Sequence, residues 1–360
     1  MAKDLMTPLQ RLTAYSQGKP IDRLPCVPIV GNTAARVIGV KVSELPNSGK
    51  LLAQAQIAAY RRFGYDIIRI FTDLYGQAEA MGSVVYYPED ETAYLAKPAL
   101  DDISQIDSLK PADPYKDGHL PIHLEAMKIA VDEVGNEVAV TGALTGPFTN
   151  ASFLIGAENL ARLVAKNPEA VHRLCRLSLE TCLNYAKAII DIGCTPSLTD
   201  PMSSATIISP QKFKEFSFSY LQQLIDYIHA RGKSVTLHIC GKTAKVWEQM
   251  ADAGADCISI DNAASLTEAK NKVGNRLRLM GNVKPSETML QGTPADIRLA
   301  VLSGVREAYD NPKGYIVASG CSLPTETPFS NIDAMLDAVR EIGYPITAEK
   351  LSRLEQRWSQ

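Results

Sequence analysis

The stretch Val235-Thr236-Leu237-His238-Ile239-Cys240-Gly241 reads as a buried strand, β-branched and apolar, with Gly241 marking where the chain leaves it. Alternate side chains of a strand share a face, so the His238 imidazole and the Cys240 thiol project together. Cys321 offers a third ligand, in Ser319-Gly320-Cys321-Ser322 after the strand-like run Tyr315-Ile316-Val317-Ala318. One nitrogen and two sulfurs suit zinc and leave a fourth position open, as in a catalytic rather than a structural site. Each residue alone has a plainer account. Free cysteines usually pack in cores, and a strand histidine is more often a hydrogen-bonded core residue.

Zinc deprotonates a coordinated thiol outright, whereas a free thiol of pKa ~8.5 is only a few per cent thiolate at neutral pH. Two protein sulfurs keep electron density on the metal and leave a bound substrate thiolate reactive, which suits alkyl transfer to sulfur. Water activation for hydrolysis is the competing use of an open zinc site. Asp261, at the end of the neighbouring strand, is the first candidate for a fourth ligand, with Glu326 second and water a third choice. Asp200 or Asp261 could instead orient the histidine from behind.

These residues need elements that bring positions 238 and 321 together. Eight apolar runs alternate with amphipathic helices: Cys26–Val30, Asp66–Phe71, Val138–Gly142, Pro196–Asp200, Val235–Gly241, Asp256–Asp261, Leu277–Val283 and Tyr315–Ser319. Short strands buried on both faces and separated by helices specify a parallel sheet. Eight units in 360 residues match a single-domain (β/α)8 TIM barrel spanning 1–360, with a surface excursion around 83–117. A doubly wound open sheet is the runner-up, but Val30-Gly31-Asn32-Thr33-Ala34-Ala35 lacks the glycine fingerprint expected after its first strand.

In a barrel the C-terminal strand ends face one cavity. Here they carry Asn32, Asp73, Thr145, Asp200, His238 with Cys240, Asp261, Asn282 and Cys321. Charged residues make up 21% of the chain and the net charge is −3, so no basic patch suggests a nucleic-acid partner. No apolar run is long enough for a membrane span, and Met1-Ala2-Lys3-Asp4-Leu5 lacks a signal-peptide pattern. Seven cysteines form no disulfide framework and fit a reducing cytoplasm.

Four stretches carry a family resemblance: Phe71-Thr72-Asp73-Leu74 with Ala80-Met81-Gly82, Gly146-Pro147-Phe148-Thr149-Asn150-Ala151-Ser152, Ile208 through Phe216, and His238-Ile239-Cys240-Gly241. Together they resemble the uroporphyrinogen decarboxylase superfamily over nearly the whole chain, which implies a (β/α)8 barrel. Decarboxylases of that superfamily carry an Arg-Gln-Ala-Gly-Arg-Tyr-like segment whose arginines bind porphyrinogen carboxylates. Here Gly31-Asn32-Thr33-Ala34-Ala35-Arg36 stands in that place. Phe153 occupies the position of an active-site tyrosine and Cys321 that of a histidine, while Asp73 is retained.

His238, Cys240 and Cys321 are similar to the metal set of the zinc-dependent corrinoid methyltransferase branch, which includes the methylcobamide:coenzyme M methyltransferases. Met6 through Leu12 and Pro20 through Pro25 are similar to that branch as well. The resemblance implies Zn2+, a methylcobamide on a small corrinoid carrier protein, and a small methyl acceptor. That acceptor would be a thiol such as coenzyme M, or else a tetrahydrofolate-type compound. Family habit adds a homodimer. The implied site has His238, Cys240 and Cys321 as ligands with Asp261 beside them, and Asn32, Asp73, Phe153, Asp200 and Asn282 lining the substrate pocket. Two other readings stay open: a cofactor-free tetrapyrrole decarboxylase using Asp73, and a non-enzymatic corrinoid- or metal-binding accessory protein.

Overall fold

A computed structural model of the chain describes residues 3–359. Its strands are β1 (Cys26–Val27), β2 (Ile67–Ile70), β3 (Ala139–Thr145), β4 (Thr195–Thr199), β5 (Thr236–His238), β6 (Cys257–Ser259), β7 (Arg278–Val283) and β8 (Tyr315–Ser319). They form one parallel sheet in the order β1-β8-β7-β6-β5-β4-β3-β2, curled into a nearly closed (β/α)8 barrel. β1 is shorter than its apolar run because Pro28 has no N–H to give to a ladder. The ring closes between β1 and β2 without a ladder: Asp66 N donates to Cys26 O at 2.9 Å, and Cys26 N donates to the Asp66 carboxylate at 2.6 Å.

The helices follow their sequence signals. The Thr7 hydroxyl accepts from Gln10 N, and Pro8 opens helix Pro8–Ser16. Gly64, at φ 74°, closes helix Gly49–Phe63. Apolar helix faces pack on the outside of the barrel to make the main core, which takes in Cys26, Cys175, Cys182 and Cys194. All seven cysteines are free thiols. The excursion after β2 forms an antiparallel hairpin, Val84–Tyr86 against Tyr94–Lys97, followed by a 3-10 turn at Ile103–Ser108. No described helix is long and apolar enough to cross a membrane.

Inside the barrel the packing is sparser. A small cluster of Val27, Ile29, Phe71, Cys257, Met280, Ile316 and Ala318 fills the middle. Inward positions of β3, β4, β5 and β6 carry hydroxyls (Thr141, Ser197, Thr236, Ser259), and a cavity of about 240 Å³ remains in the lower lumen. Below it, Arg11 and Arg23 are buried in a network of carboxylates. Arg11 Nε donates to Asp22 at 2.6 Å, and Arg23 donates to Asp66 at 2.6 Å through Nη1 and to Asp4 at 2.6 Å through Nε. The Asp66 carboxylate joins the two guanidiniums, since Arg11 Nη1 also donates to it.

Candidate metal centre

Thr236, His238 and Cys240 alternate onto the lumen face, as the period of a strand requires. A ring nitrogen of His238 and the sulfurs of Cys240 and Cys321 lie within 4.8 Å of one another. Among the described residues no other group of three His, Cys, Asp or Glu converges in this way. His238 Nδ1 faces Ser259, 3.0 Å from its Oγ and 3.2 Å from its carbonyl oxygen. That leaves Nε2 to the site, 3.2 Å from Cys240 Sγ. Such a bond fixes the ring's tautomer and orientation, as metal-binding histidines require.

Two glycines make the convergence sterically feasible. Gly241 turns the chain away after Cys240 at φ 77°, and a Cβ there would meet the Thr206 hydroxyl at 2.9 Å. Gly320 lets the loop after β8 approach the loop after β6, since a Cβ would sit 2.7 Å from Asn262 N.

The donor set fits zinc. Zn–S near 2.3 Å and Zn–N near 2.0 Å put tetrahedral ligands about 3.5–3.8 Å apart, so the triplet needs little closure. The two neighbouring sulfurs shift each other's protonation in opposite directions. Hydrogen bonding from Cys240, helped by the neighbouring His238, holds the Cys321 thiol well below its ordinary range against the effect of burial. The same contact, with burial, pushes Cys240 up. A thiolate next to an imidazole is a ligand close to its metal-binding state.

Above the triplet lies a cavity of about 170 Å³, lined by Asn32, Arg69, Phe71, Asp73, Tyr75, Thr199 and Ser322, and by Thr92 and Ala93 from the hairpin tip. Asn32 donates to Thr72 O at 3.0 Å while its own carbonyl oxygen is buried without a partner. Asp73 is held by Tyr75 N at 2.6 Å and by the Thr72 hydroxyl at 2.7 Å.

Other expected site residues serve the frame. Asp261 does not join the triplet: its oxygens accept from Gly241 N and Ala263 N, both at 2.8 Å, which anchors the Cys240 turn. Glu326 is exposed on the surface near Arg36. Asp200 is wholly buried, and desolvation raises its carboxyl despite bonds from Thr149 N, Ser203 and Ser217. It fastens helix Pro147–Ile155 to the end of β4, fills the space a Gly146 side chain would need, and does not line the cavity. Asn282 ties the loop after β6 together by donating to Asp261 O and Ala264 O. Phe153 stacks behind Tyr75 at 4.5 Å, so Tyr75 meets the cavity in its place.

Arg69 and Tyr75 escaped the sequence reading. The signal for Arg69 was there: a charged residue inside the otherwise apolar run Ile67-Ile68-Arg69-Ile70.

A family model described as uroporphyrinogen decarboxylase (URO-D) matches residues 7–342. The chain is 29% identical over 336 residues to the methylcobamide:CoM methyltransferase MtaA of Methanosarcina barkeri, covering 91% of this chain and 96% of that protein. It is 26% identical over 310 residues to a uroporphyrinogen decarboxylase of Psychromonas ingrahamii, covering 84% and 86%. A solved methyltransferase from Methanosarcina mazei superposes with a TM-score of 0.85 at 26% identity, covering 94% of this chain and 99% of that one.

Proposed function

The chain belongs to the uroporphyrinogen decarboxylase family, and from that premise we propose that it is a zinc-dependent methyltransferase moving a methyl group between a corrinoid and a small thiol. The observation that carries this reading is the convergence of His238, Cys240 and Cys321 at the C-terminal mouth of the barrel. Relatives named as methylcobamide:CoM methyltransferases support the class of reaction.

Bound zinc would supply a Lewis acid that keeps an acceptor thiol deprotonated near neutral pH. His238, oriented by Ser259, and the two cysteines would hold that ion and leave one direction open to the cavity. The cavity accepts a small acceptor, which Asn32 Oδ1 and the Asp73 carboxylate are placed to position. In the transfer itself an acceptor sulfur lone pair forms the new S–CH3 bond. The cobalt–carbon bond breaks with its electron pair staying on the corrinoid, and the thiol proton goes to solvent. The corrinoid would arrive on a small carrier protein. Coenzyme M is one acceptor of this chemistry, while a tetrahydrofolate-type acceptor reacts at nitrogen and gains less from the sulfur-rich set.

Metal analysis of the purified protein beside Cys321→Ala and His238→Ala tests the reading. The expected result is about one zinc per parent chain and loss from both variants. Stoichiometric zinc in both variants would end the proposal. A cofactor-free decarboxylase is the second reading, favoured by the cavity position of Asp73 and by the decarboxylase relative. Efficient conversion of uroporphyrinogen to coproporphyrinogen, followed by chromatography, would reverse the order.

A further inference from the structure

Buried charges in proteins are paired, and a buried guanidinium without a carboxylate is costly. Arg69 is half-buried and faces the interior of the barrel rather than a carboxylate. It projects from β2 into the lumen and lines both the upper and the lower cavity. One Nη donates to the Thr199 hydroxyl at 2.5 Å. Nε is buried with no partner. Its side chain lies over the Phe71 ring at 5.1 Å, a weak substitute for an anion. Among the described residues no carboxylate oxygen lies within 4.0 Å of it, whereas Arg11 and Arg23 each touch more than one.

The charge around Arg69 is arranged from two sides. From above come His238 at the end of β5 with Cys240 just past it, Cys321 after β8 and Asp73 after β2; from below come Asp256, Cys257 and Arg278. The two carboxylates are committed elsewhere, Asp73 to Tyr75 N and Thr72, Asp256 to Val235 N and His229. Burial pulls the guanidinium down to about 10, and the field of Cys321 and Cys240 partly restores it. Two cysteine thiolates balance a divalent ion, and a neutral imidazole adds nothing. A third thiolate would therefore leave the centre one negative charge in excess, beside one uncompensated cation.

We propose that Arg69 is a positioning residue that balances the charge of the acceptor's thiolate as it completes the His238, Cys240 and Cys321 set. This rests on the thiol-transfer reading above and adds to it a residue and a selection rule. The pocket holds its acceptor by the charge on sulfur, whatever the acceptor's other end carries. The cation stays beneath the sulfur, gives no proton, and acts through the field alone.

Cobalt(II)-substituted full-length protein gives a readout other than turnover, because thiolate binding to cobalt produces a near-ultraviolet charge-transfer band. The band is titrated against pH with a neutral thiol, 2-mercaptoethanol, and an acid-bearing one, 3-mercaptopropionate. The parent, Arg69→Met and Arg69→Lys are compared. The expected result is unchanged cobalt content in all three. In Arg69→Met the binding midpoint rises by about one to two pH units for both thiols, equivalent to about ten- to a hundredfold weaker binding at neutral pH. Arg69→Lys, which keeps the charge in a fold closest to the parent, stays near the parent midpoint. A loss confined to 3-mercaptopropionate would mean that Arg69 reads an acid group, and would overturn the proposal. Unchanged midpoints in Arg69→Met would overturn it in favour of lumen water as the partner of Nε. If Arg69→Met does not fold, an Arg69→Lys midpoint as high as that expected for loss of the charge would overturn it. Should the cobalt-loaded parent bind neither thiol, the thiol-transfer reading itself fails and takes this inference with it.

Discussion

At the lower end of the barrel, Arg11 and Arg23 meet Asp4, Asp22 and Asp66 in a network of ion pairs that Arg340 joins through Asp4, with every guanidinium engaged more than once. At the upper end of the same strands, His238, Cys240 and Cys321 point at one another and at a cavity, and the nearby Arg69 keeps an unpartnered donor. Both ends hold ionisable groups out of water. One end satisfies them internally, and the other leaves capacity for something that arrives. In (β/α)8 barrels the lower face serves stability and the upper face carries the chemistry. Here the contrast is visible in how completely each end pairs its own charges.

Removing one member from each end should therefore break different things. Cys321→Ala is expected to strip the metal and to slow methyl transfer to a thiol by about 10³ or more. The metal-free melting temperature should hardly move, and metal analysis with thermal denaturation reads both. Asp66→Asn is expected to leave two guanidiniums undercompensated and to cost about 3–5 kcal/mol in chemical denaturation. The surviving folded protein should bind zinc at the parent's stoichiometry. If Asp66→Asn also expels the metal, the two ends are not independent.

A smaller effect sharpens the upper half of the contrast. Ser259→Ala removes the hydroxyl facing His238 Nδ1 but leaves the Ser259 carbonyl at 3.2 Å. Zinc affinity, measured by competition with a chelator, should fall about tenfold, at the low end for an orienting partner.

Acidification also acts on the two ends separately. Burial alone would raise the Asp4 and Asp22 carboxyls, but the guanidiniums bonded to them win and hold both below the ordinary carboxylate range. Their stabilisation is present above a pKa of about 4 and is lost as pH falls through the depressed values of the folded state. Protons compete with a metal for histidine and thiolate ligands, so acid should also release the metal, by a route separate from the carboxylates below. Asp22→Asn should lower stability at neutral pH and flatten the acid limb of its pH dependence, as followed by circular dichroism. It should not move the pH of metal release.

Much of this was legible in the sequence. The eight strands announced themselves by apolar runs ending in polar or glycine residues, and the alternation in Leu237-His238-Ile239-Cys240 fixed which side chains shared a face. The convergence of His238, Cys240 and Cys321 was readable because all three sit on or just past strand ends, where the fold leaves little freedom. Asp200, Asp261 and Asn282 occupy the same kind of position yet bind backbone amides, hydroxyls or carbonyls of adjacent loops. Strand-end placement cannot tell a group facing the cavity from one turned along the loop, because that depends on how loops from different strands pack. Tyr75 was hidden for a related reason. It reaches the cavity only because the hairpin folds back over the mouth and Phe153 backs it.

The join between β1 and β2 has a further consequence. Seven neighbouring strand pairs share ladders, but this one is held by one backbone bond and by a side chain taking over a carbonyl's role. That side chain is kept in place by Arg11 and Arg23, and so by the N-terminal arm. Residues 4–24 act as a clasp on the hoop. Trimming them would be felt less as a frayed end than as an unfastening, with amide exchange quickening first on either side of the gap.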